Sequence, residues 1–138
     1  MINHHFEFPK QEHLCSKALI TDLFEKGESL ISYPIRAVWN VIPSEDDYPV
    51  KVVMSVSKKK FKHAVDRNRA KRLLRESYRL NKEPLQKLAV AGRFTIHIAF
   101  IWLSTEPVAF SRIEKKMKGA LSKIEVRISS MKYTDVNL

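Results

Sequence analysis

The sequence predicts an α+β fold, in which helices pack on a small and mostly antiparallel sheet. Three segments carry apolar residues at helical spacing, and three others are rich in β-branched and aromatic residues. The six segments follow one another in the order α-β-β-α-β-α. With 138 residues, 44% of them hydrophobic, the chain can bury a substantial core. We therefore expect a single domain over residues 1–138, with an extended arm at 1–12 and a flexible tail at 131–138.

The first half of the chain is predicted to form one helix and two strands. Residues 16–27 read as a helix that Gly27 ends, with one apolar face made of Leu19, Ile20, Leu23 and Phe24. Residues 35–42 and 50–57 read as strands, and the proline-bounded turn "PSEDDYP" between them predicts a hairpin. Alternation along the second strand turns Ser55 and Ser57 toward its partly open side.

The second half is predicted to contain two helices around one central strand. A helix spans 64–81 and Pro84 stops it, since proline cannot continue a helix. Residues 92–103 are apolar on both faces and predict a strand inside the sheet. The last helix is indicated by an apolar stripe of Phe110, Ile113, Met117, Leu121, Ile124 and Ile128.

Positive charge is concentrated in one part of the chain. The sequence has 25 Lys and Arg against 15 Asp and Glu, a formal net charge of +10. Residues 58–82 hold eleven of the basic side chains and only two acids, Asp66 and Glu76. Such a concentration indicates a polyanionic partner, with nucleic acid favoured over a membrane surface. The alternative is a solvated helix face, although such faces normally mix both signs.

The charge lies on one side of the predicted 64–81 helix. At 100° per residue, one face carries Ala70, Leu73, Leu74, Ser77 and Leu80. The opposite face carries Asn68, Lys71, Arg72, Arg75 and Arg79, with Arg67 and Arg69 at its flanks. The planar guanidinium group suits phosphate oxygens, and an asparagine can both donate to and accept from a sugar or base edge. Lys58, Lys59 and Lys60 leave the preceding strand toward the same region.

RNA is the partner that this arrangement favours. A helix-turn-helix needs a second helix three or four residues away, but a strand flanks the basic helix on each side. A basic zipper needs heptads beyond the basic region, and Pro84 ends the helix first. Membrane docking would need exposed apolar side chains on the face that the core is expected to cover. We therefore expect neither a DNA nor a membrane partner.

Residues that could catalyse a reaction are not found in the sequence. We identify no nucleophile paired with a base, no metal-ligand cluster and no glycine-rich phosphate loop. The single Cys15 excludes an internal disulfide and, with no signal pattern and no run of 18 apolar residues, suggests the cytoplasm.

The stretch "SVSKKKFKHAVDRNRAKRLLRESYR" strongly resembles the signature of the bacterial ribonuclease P protein subunit. The matching pieces are Ser55–Lys59, Ala64-Val65, Arg67-Asn68-Arg69, Lys71-Arg72 and Leu73–Glu76. The chain departs from the family pattern at residues 60–63, "KFKH", which stand where the family usually has a shorter, glycine-containing loop. His13 replaces a frequent arginine, and Ile20 replaces one of two aromatics. The usual strand aromatic has only Val38 and Trp39 as candidates.

The resemblance implies a non-catalytic subunit of a ribonucleoprotein endonuclease. In that family the RNA subunit, with Mg²⁺, removes the 5′ leader of precursor transfer RNA. The resemblance also implies a left-handed β-α-β crossover and a leader-binding cleft between the first helix and the sheet. The residues expected to bind RNA are Lys58, Lys59, Lys60, Arg67, Asn68, Arg69, Lys71, Arg72, Arg75 and Arg79. The residues expected at the cleft are Ile20, Phe24, Ser55 and Ser57.

Two other functions stay open at this point. One is a general RNA-binding or ribosome-associated module without a role in cleavage, and the other is a protein nuclease that acts alone. For Ile20 and Phe24 the alternative role is ordinary core packing.

Overall fold

A computed structural model of the chain describes residues 7–44 and 47–131. Residues 1–6 of the expected arm and 132–138 of the expected tail lie outside the described part. The helices are α1 (Lys17–Lys26), α2 (Ala64–Asn81), α3 (Glu83–Gly92) and α4 (Phe110–Ser129). The strands are β1 (Glu28–Ser32), β2 (Ile35–Pro43), β3 (Val50–Ser55) and β4 (Phe94–Trp102).

The four strands form one mixed sheet in the order β1-β2-β4-β3. The pairs β1–β2 and β2–β4 are antiparallel, whereas β3 runs parallel to β4. Helices pack on this mostly antiparallel sheet, so the predicted α+β class is confirmed. The predicted central position of the 92–103 segment is also confirmed, because β4 lies between two strands and is buried from Phe94 to Phe100.

The predicted hairpin between the second and third strands is wrong. β4 lies between β2 and β3 and pairs with β2 over nine residues, from Ile35–Trp102 to Pro43–Phe94. β3 has only six residues, and the long turn before it carries no two-residue hairpin motif that would fix a register. β2 therefore gains a longer and more apolar partner in β4 than β3 could offer.

Two elements were not predicted. β1, "ESLIS", is short and half polar, and it pairs with β2 across a turn with a cis Tyr33–Pro34 peptide bond. Pro84 does follow the end of α2, but it also occupies the first turn of α3, where its fixed φ is favourable. The parallel pairing of β3 with β4 makes β3-α2-α3-β4 a β-α-β connection. Its left-handedness stays a prediction.

The helices divide between the two faces of the sheet. On one face, α2 and α4 cover a core that includes Trp39, Ile98 and Phe100. On the other, Leu23 of α1 packs with Leu14, Val38 and Ala99. The Ser16 side chain caps α1 by accepting from Leu19 N at 3.3 Å. Gly27 ends α1 as predicted, and any Cβ there would lie 2.5 Å from the Leu23 carbonyl oxygen.

The described part of the N-terminal segment is fixed to the domain by a buried ion pair. Residues 10–12 form a 3₁₀ turn, and Leu14 N donates to Val52 O at 2.8 Å. Glu12 and Lys82 are both fully buried, with Lys82 Nζ 2.8 Å from Glu12 Oε1. Lys82, one of the eleven basic residues counted above, is therefore part of the interior. Within the described residues, no helix has the length and apolar character to cross a membrane.

Candidate RNA-binding surface

Helix α2 has one buried face and one strongly basic face, and both its ends are as predicted. Ala70, Leu74, Ser77 and Tyr78 are buried. The predicted stripe was wrong at Leu80, which is 37% exposed, and it omitted Tyr78. The reason is that the buried face is rotated toward Tyr78, whose ring lies 5.7 Å from that of Phe100 and 5.6 Å from that of Phe8.

The basic face presents Asn68, Arg69, Arg72 and Arg75 to solvent. Among the described residues, no carboxylate forms an ion pair with any of these three arginines. Lys71 is half-buried at the margin of this face. Unpaired guanidinium groups on a rigid helix are available to an anionic partner without the cost of breaking an internal ion pair.

Two other predicted RNA-binding arginines have contacts within the protein. Arg67 Nη1 donates to the carbonyl oxygens of Phe61 at 2.8 Å and Lys62 at 3.0 Å. Arg79 forms an ion pair with Glu76, and its hydrogen bond lowers the pKa of Glu76 and raises its own pKa. Arg67 therefore helps to hold the preceding loop, and the charge of Arg79 is partly compensated.

The basic loop before α2 is ordered by its own hydrogen bonds. Ser57 Oγ accepts from Lys59 N at 3.1 Å, and Lys60 N donates to Ser57 O at 3.0 Å. Lys58 and Lys59 are exposed and Lys60 is half-buried. Phe61 reaches the core, with its ring 6.2 Å from that of Trp102. The departure from the family pattern at 60–63 thus accommodates a core side chain, and Arg67 holds the backbone on either side of Lys62.

The predicted cleft residues Ile20 and Phe24 lie on α1, on the other face of the sheet. Ile20 is half-buried against the Leu23 cluster, as its alternative role in core packing requires. Phe24 is 45% exposed, so it is not a core residue. Ser55 and Ser57 are both exposed at the end of β3.

Strand register adds two residues to this side of the sheet that the sequence analysis missed. Ser55 pairs with Ile101, and Ile101 pairs with Arg36, so the three side chains form a row across the sheet. Arg36 is exposed, and its Nε donates to Ser29 Oγ at 3.0 Å. Because residues 36 and 38 point to the same face of a strand, the sequence could have placed Arg36 on the side of Val38. Its place beside Ile101 and Ser55 depends on the pairing of β2 with β4, which the sequence does not give. Trp39 faces the α2 side, which excludes it as a cleft aromatic.

His13 lies beside the basic helix, on the segment that bridges to Val52. Its ring is 4.3 Å from that of Phe8. Burial, and next the nearby charge of Arg75, lower the pKa of His13, whereas a hydrogen bond with the Phe8 backbone acts in the opposite direction. The segment before α1 therefore contributes to the surroundings of Arg75.

The basic helix and the predicted cleft residues of α1 lie on opposite faces of the sheet, and the loop of residues 56–63 runs between β3 and the basic helix. That loop leaves β3 directly after Ser55 and carries Lys58, Lys59 and Lys60 before α2 begins. Within the described residues, no three His, Cys, Asp or Glu side chains are grouped as they would be around a metal ion. The exposed cations of this loop and of α2 can contact successive phosphates of an extended anion.

Comparison with known proteins gives the family. The family model described as Ribonuclease P matches residues 8–125. The chain belongs to the ribonuclease P protein family. It is 34% identical over 125 residues to the ribonuclease P protein component of Porphyromonas gingivalis, which covers 91% of each chain. It is also 39% identical over 87 residues to that of Chlorobium phaeobacteroides, covering 61% of this chain and 60% of the relative.

Solved structures of ribonuclease P proteins have the same fold. The protein from Thermotoga maritima superposes with a TM-score of 0.64 at 23% identity, covering 81% of this chain and 96% of that one. The protein from Staphylococcus aureus gives a TM-score of 0.57 at 18% identity, covering 86% and 95%. The likeness extends over nearly the whole length of both solved proteins.

Proposed function

We propose that the chain is the protein subunit of ribonuclease P, which assists removal of the 5′ leader from precursor transfer RNA in the cytoplasm. In this proposal α2 and the basic loop bind the catalytic RNA, and the α1 side of the sheet holds the leader. Catalysis and Mg²⁺ are assigned to the RNA partner, and no residue of the chain is given a catalytic or metal-binding role.

The observation that carries the proposal is that Arg69, Arg72 and Arg75 are exposed beside Asn68 and form no ion pair with a carboxylate of the described residues. The opposite face of the same helix is fixed in the core, so these groups are held in a constant arrangement. Each phosphate contact releases condensed counterions, which makes binding strong and dependent on salt. Family membership supports ribonuclease P RNA as the partner.

The leader is proposed to lie along Phe24 and the row of Ser55, Ile101 and Arg36. An exposed aromatic ring can stack on any base, and Arg36 can contact a phosphate without reading sequence. This combination suits a single strand whose sequence differs from one precursor to the next. The half-buried Ile20 is assigned to packing beneath Phe24.

Charge reversal tests the proposal directly. We expect Arg72→Glu with Arg75→Glu to weaken assembly with ribonuclease P RNA by at least about tenfold at 0.15 M salt, because two cations are lost and repulsion is added. The control is Lys87→Glu with Arg93→Glu, which changes net charge equally on the exposed side of α3. Filter binding or anisotropy measures assembly, and circular dichroism checks the fold. Equal affinities for the two variants would overturn the proposal.

Reconstitution separates the proposal from the two alternatives. The protein is added to ribonuclease P RNA at low Mg²⁺, and 5′ processing of precursor transfer RNA is measured. A general RNA-binding module would bind the RNA without increasing cleavage. A protein nuclease would cleave in preparations that contain no RNA subunit.

A further inference from the structure

Helix α4 carries a second concentration of positive charge, separate from that of α2. Six basic residues and only two acids lie between 110 and 129. Acidic residues elsewhere offset this excess in the charge total, so the sequence analysis did not identify it. Arg127 is paired with Glu28 of β1 and is set aside here.

The remaining charges are sorted by the helical geometry. The buried stripe of α4 includes Ile113, Met117, Ile124 and Ile128. At 100° per residue, four of the five remaining cations lie within about 100° of arc on the side turned away from this stripe, Arg112, Lys115, Lys116 and Lys123. Lys118 lies about 60° beyond this arc and lines the same cavity as Glu125. Three of the four cations in the arc are exposed and Lys116 is half-buried. We call these four residues the α4 stripe.

Both acids of α4 lie outside the α4 stripe. Glu114 Oε2 accepts from Asn81 Nδ2 at 3.2 Å, which places this carboxylate in the seam between α4 and α2. Glu125 lines a small cavity together with Asn81 and Leu85, at the junction of α2 and α3. Within the described residues, none of the four cations forms an ion pair with a carboxylate. Within the part of the chain that the structure describes, the α4 stripe therefore has no ion-paired carboxylate, as is also true of Arg69, Arg72 and Arg75 on α2.

We propose that the α4 stripe binds the sugar-phosphate backbone of a paired RNA stem, next to the RNA segment bound by α2. From Arg112 to Lys123 the helix rises about 16 Å, which is enough to follow several phosphates of one strand. The sector contains no aromatic, Asn or Gln side chain to stack on or read a base, and its other members are Gly119 and Val126. Backbone contacts without base contacts are how paired RNA is bound.

An acidic protein partner fits this surface less well. Stable protein interfaces depend on buried aromatic or aliphatic anchors, and Val126 is the single apolar side chain of the sector. The inference rests on the proposed function for the kind of macromolecule involved. α2 and α4 pack together on the same face of the sheet, so one folded RNA can reach both helices.

The test uses a perfectly paired RNA hairpin of about 20 base pairs as the probe. Lys115→Gln with Lys123→Gln removes two exposed stripe charges. The control, Lys87→Gln with Arg93→Gln, removes two exposed charges from the α3 region and leaves the same net charge. Lys87 lies 3.5 Å from Glu83, so this control also removes one exposed ion pair. We expect the stripe variant to bind the hairpin on the order of tenfold more weakly at 0.1 M salt, and its log–log salt slope to fall by about 2. The control should stay within about twofold of the unmodified protein.

Four results would overturn the inference. The first is an unchanged hairpin affinity of the stripe variant, and the second is an equal loss of hairpin affinity in the control. The third is that the stripe variant loses as much affinity for an unpaired strand of the same length. The fourth is a loss of hairpin affinity in Lys115→Arg with Lys123→Arg, which keeps both charges. The inference would also be wrong if the stripe variant lost binding to an acidic protein while its hairpin affinity stayed unchanged. Assembly of the Arg72 and Arg75 variant with ribonuclease P RNA is measured separately, so failure of the proposed function and failure of this inference are distinguishable.

Discussion

Replacing Lys82 by methionine should strongly destabilise the protein. Lys82 Nζ is the cationic partner of Glu12 at 2.8 Å, and it also donates to the carbonyl oxygen of Glu7. Both charged side chains are fully buried. Methionine would fill most of the space but would leave the Glu12 carboxylate in the interior without its Lys82 cation.

The size of the effect follows from this burial. Breaking a buried ion pair by removing one partner costs about 3–5 kcal/mol, because the other charge stays desolvated. A domain of this length is stable by roughly 7–20 kcal/mol, so the variant should fold but with a much smaller margin. With a urea m-value of about 2 kcal/mol/M, a loss of about 4 kcal/mol lowers the unfolding midpoint by about 2 M.

The assay is urea unfolding followed by circular dichroism, and the control removes both charges. Glu12→Gln with Lys82→Met should recover at least about half of the loss, because no carboxylate is then left buried without its cation. A loss below about 1 kcal/mol in Lys82→Met, or single losses that simply add in the double variant, would refute the reasoning.

Two further predictions concern side chains near the basic helix. The Tyr78 hydroxyl is buried without a hydrogen-bond partner among the described residues, so Tyr78→Phe should be neutral or stabilising by about 1 kcal/mol in urea unfolding at pH 8. Burial, and next the charge of Glu12, raise the pKa of Tyr78 well above its usual value. The folded protein therefore favours the neutral phenol. Ionisation of Tyr78 leaves the free energy of unfolding unchanged below about pH 10 and lowers it at higher pH, where the unfolded chain loses the proton more readily. The phenylalanine variant should lack that alkaline loss, and a lower midpoint at pH 8 would contradict this account. Arg67→Ala should lower the free energy of unfolding by about 1–2 kcal/mol, seen as a lower urea midpoint, and should also lower RNA affinity, whereas Arg69→Ala should lower affinity alone. Equal midpoints for the two variants would show that the Arg67 hydrogen bonds do not stabilise the loop.

The features that could be predicted are those set by local sequence. Helix α2 begins at Ala64 and ends at Asn81 as predicted, because its apolar period, its charge pattern and Pro84 all agree. The exposure of Asn68, Arg72 and Arg75 followed from the same period. The α+β class followed from the two kinds of hydrophobic spacing, which need no knowledge of tertiary contacts.

The features that were missed depend on distant contacts. The pairing of β2 with β4 joins residues that lie far apart in the chain, and nothing in the sequence of β2 distinguishes β4 from β3 as its partner. The burial of Lys82 depends on Glu12, seventy residues earlier, so charge counting assigned it to the surface. Arg36 comes into one row with Ile101 and Ser55 only through the register of β2 on β4.

The position of β4 has a consequence for synthesis of the chain on the ribosome. β3 and the whole of α2 are translated before β4, yet β4 is the strand beside which β3 must lie and against which the apolar side of α2 packs. The nascent polypeptide therefore carries its complete arginine-rich helix before the platform for that helix exists. Until β4 and α4 emerge, the guanidinium groups are already available to the abundant ribosomal RNA nearby, and the leucine side of the same segment lacks most of its native partners.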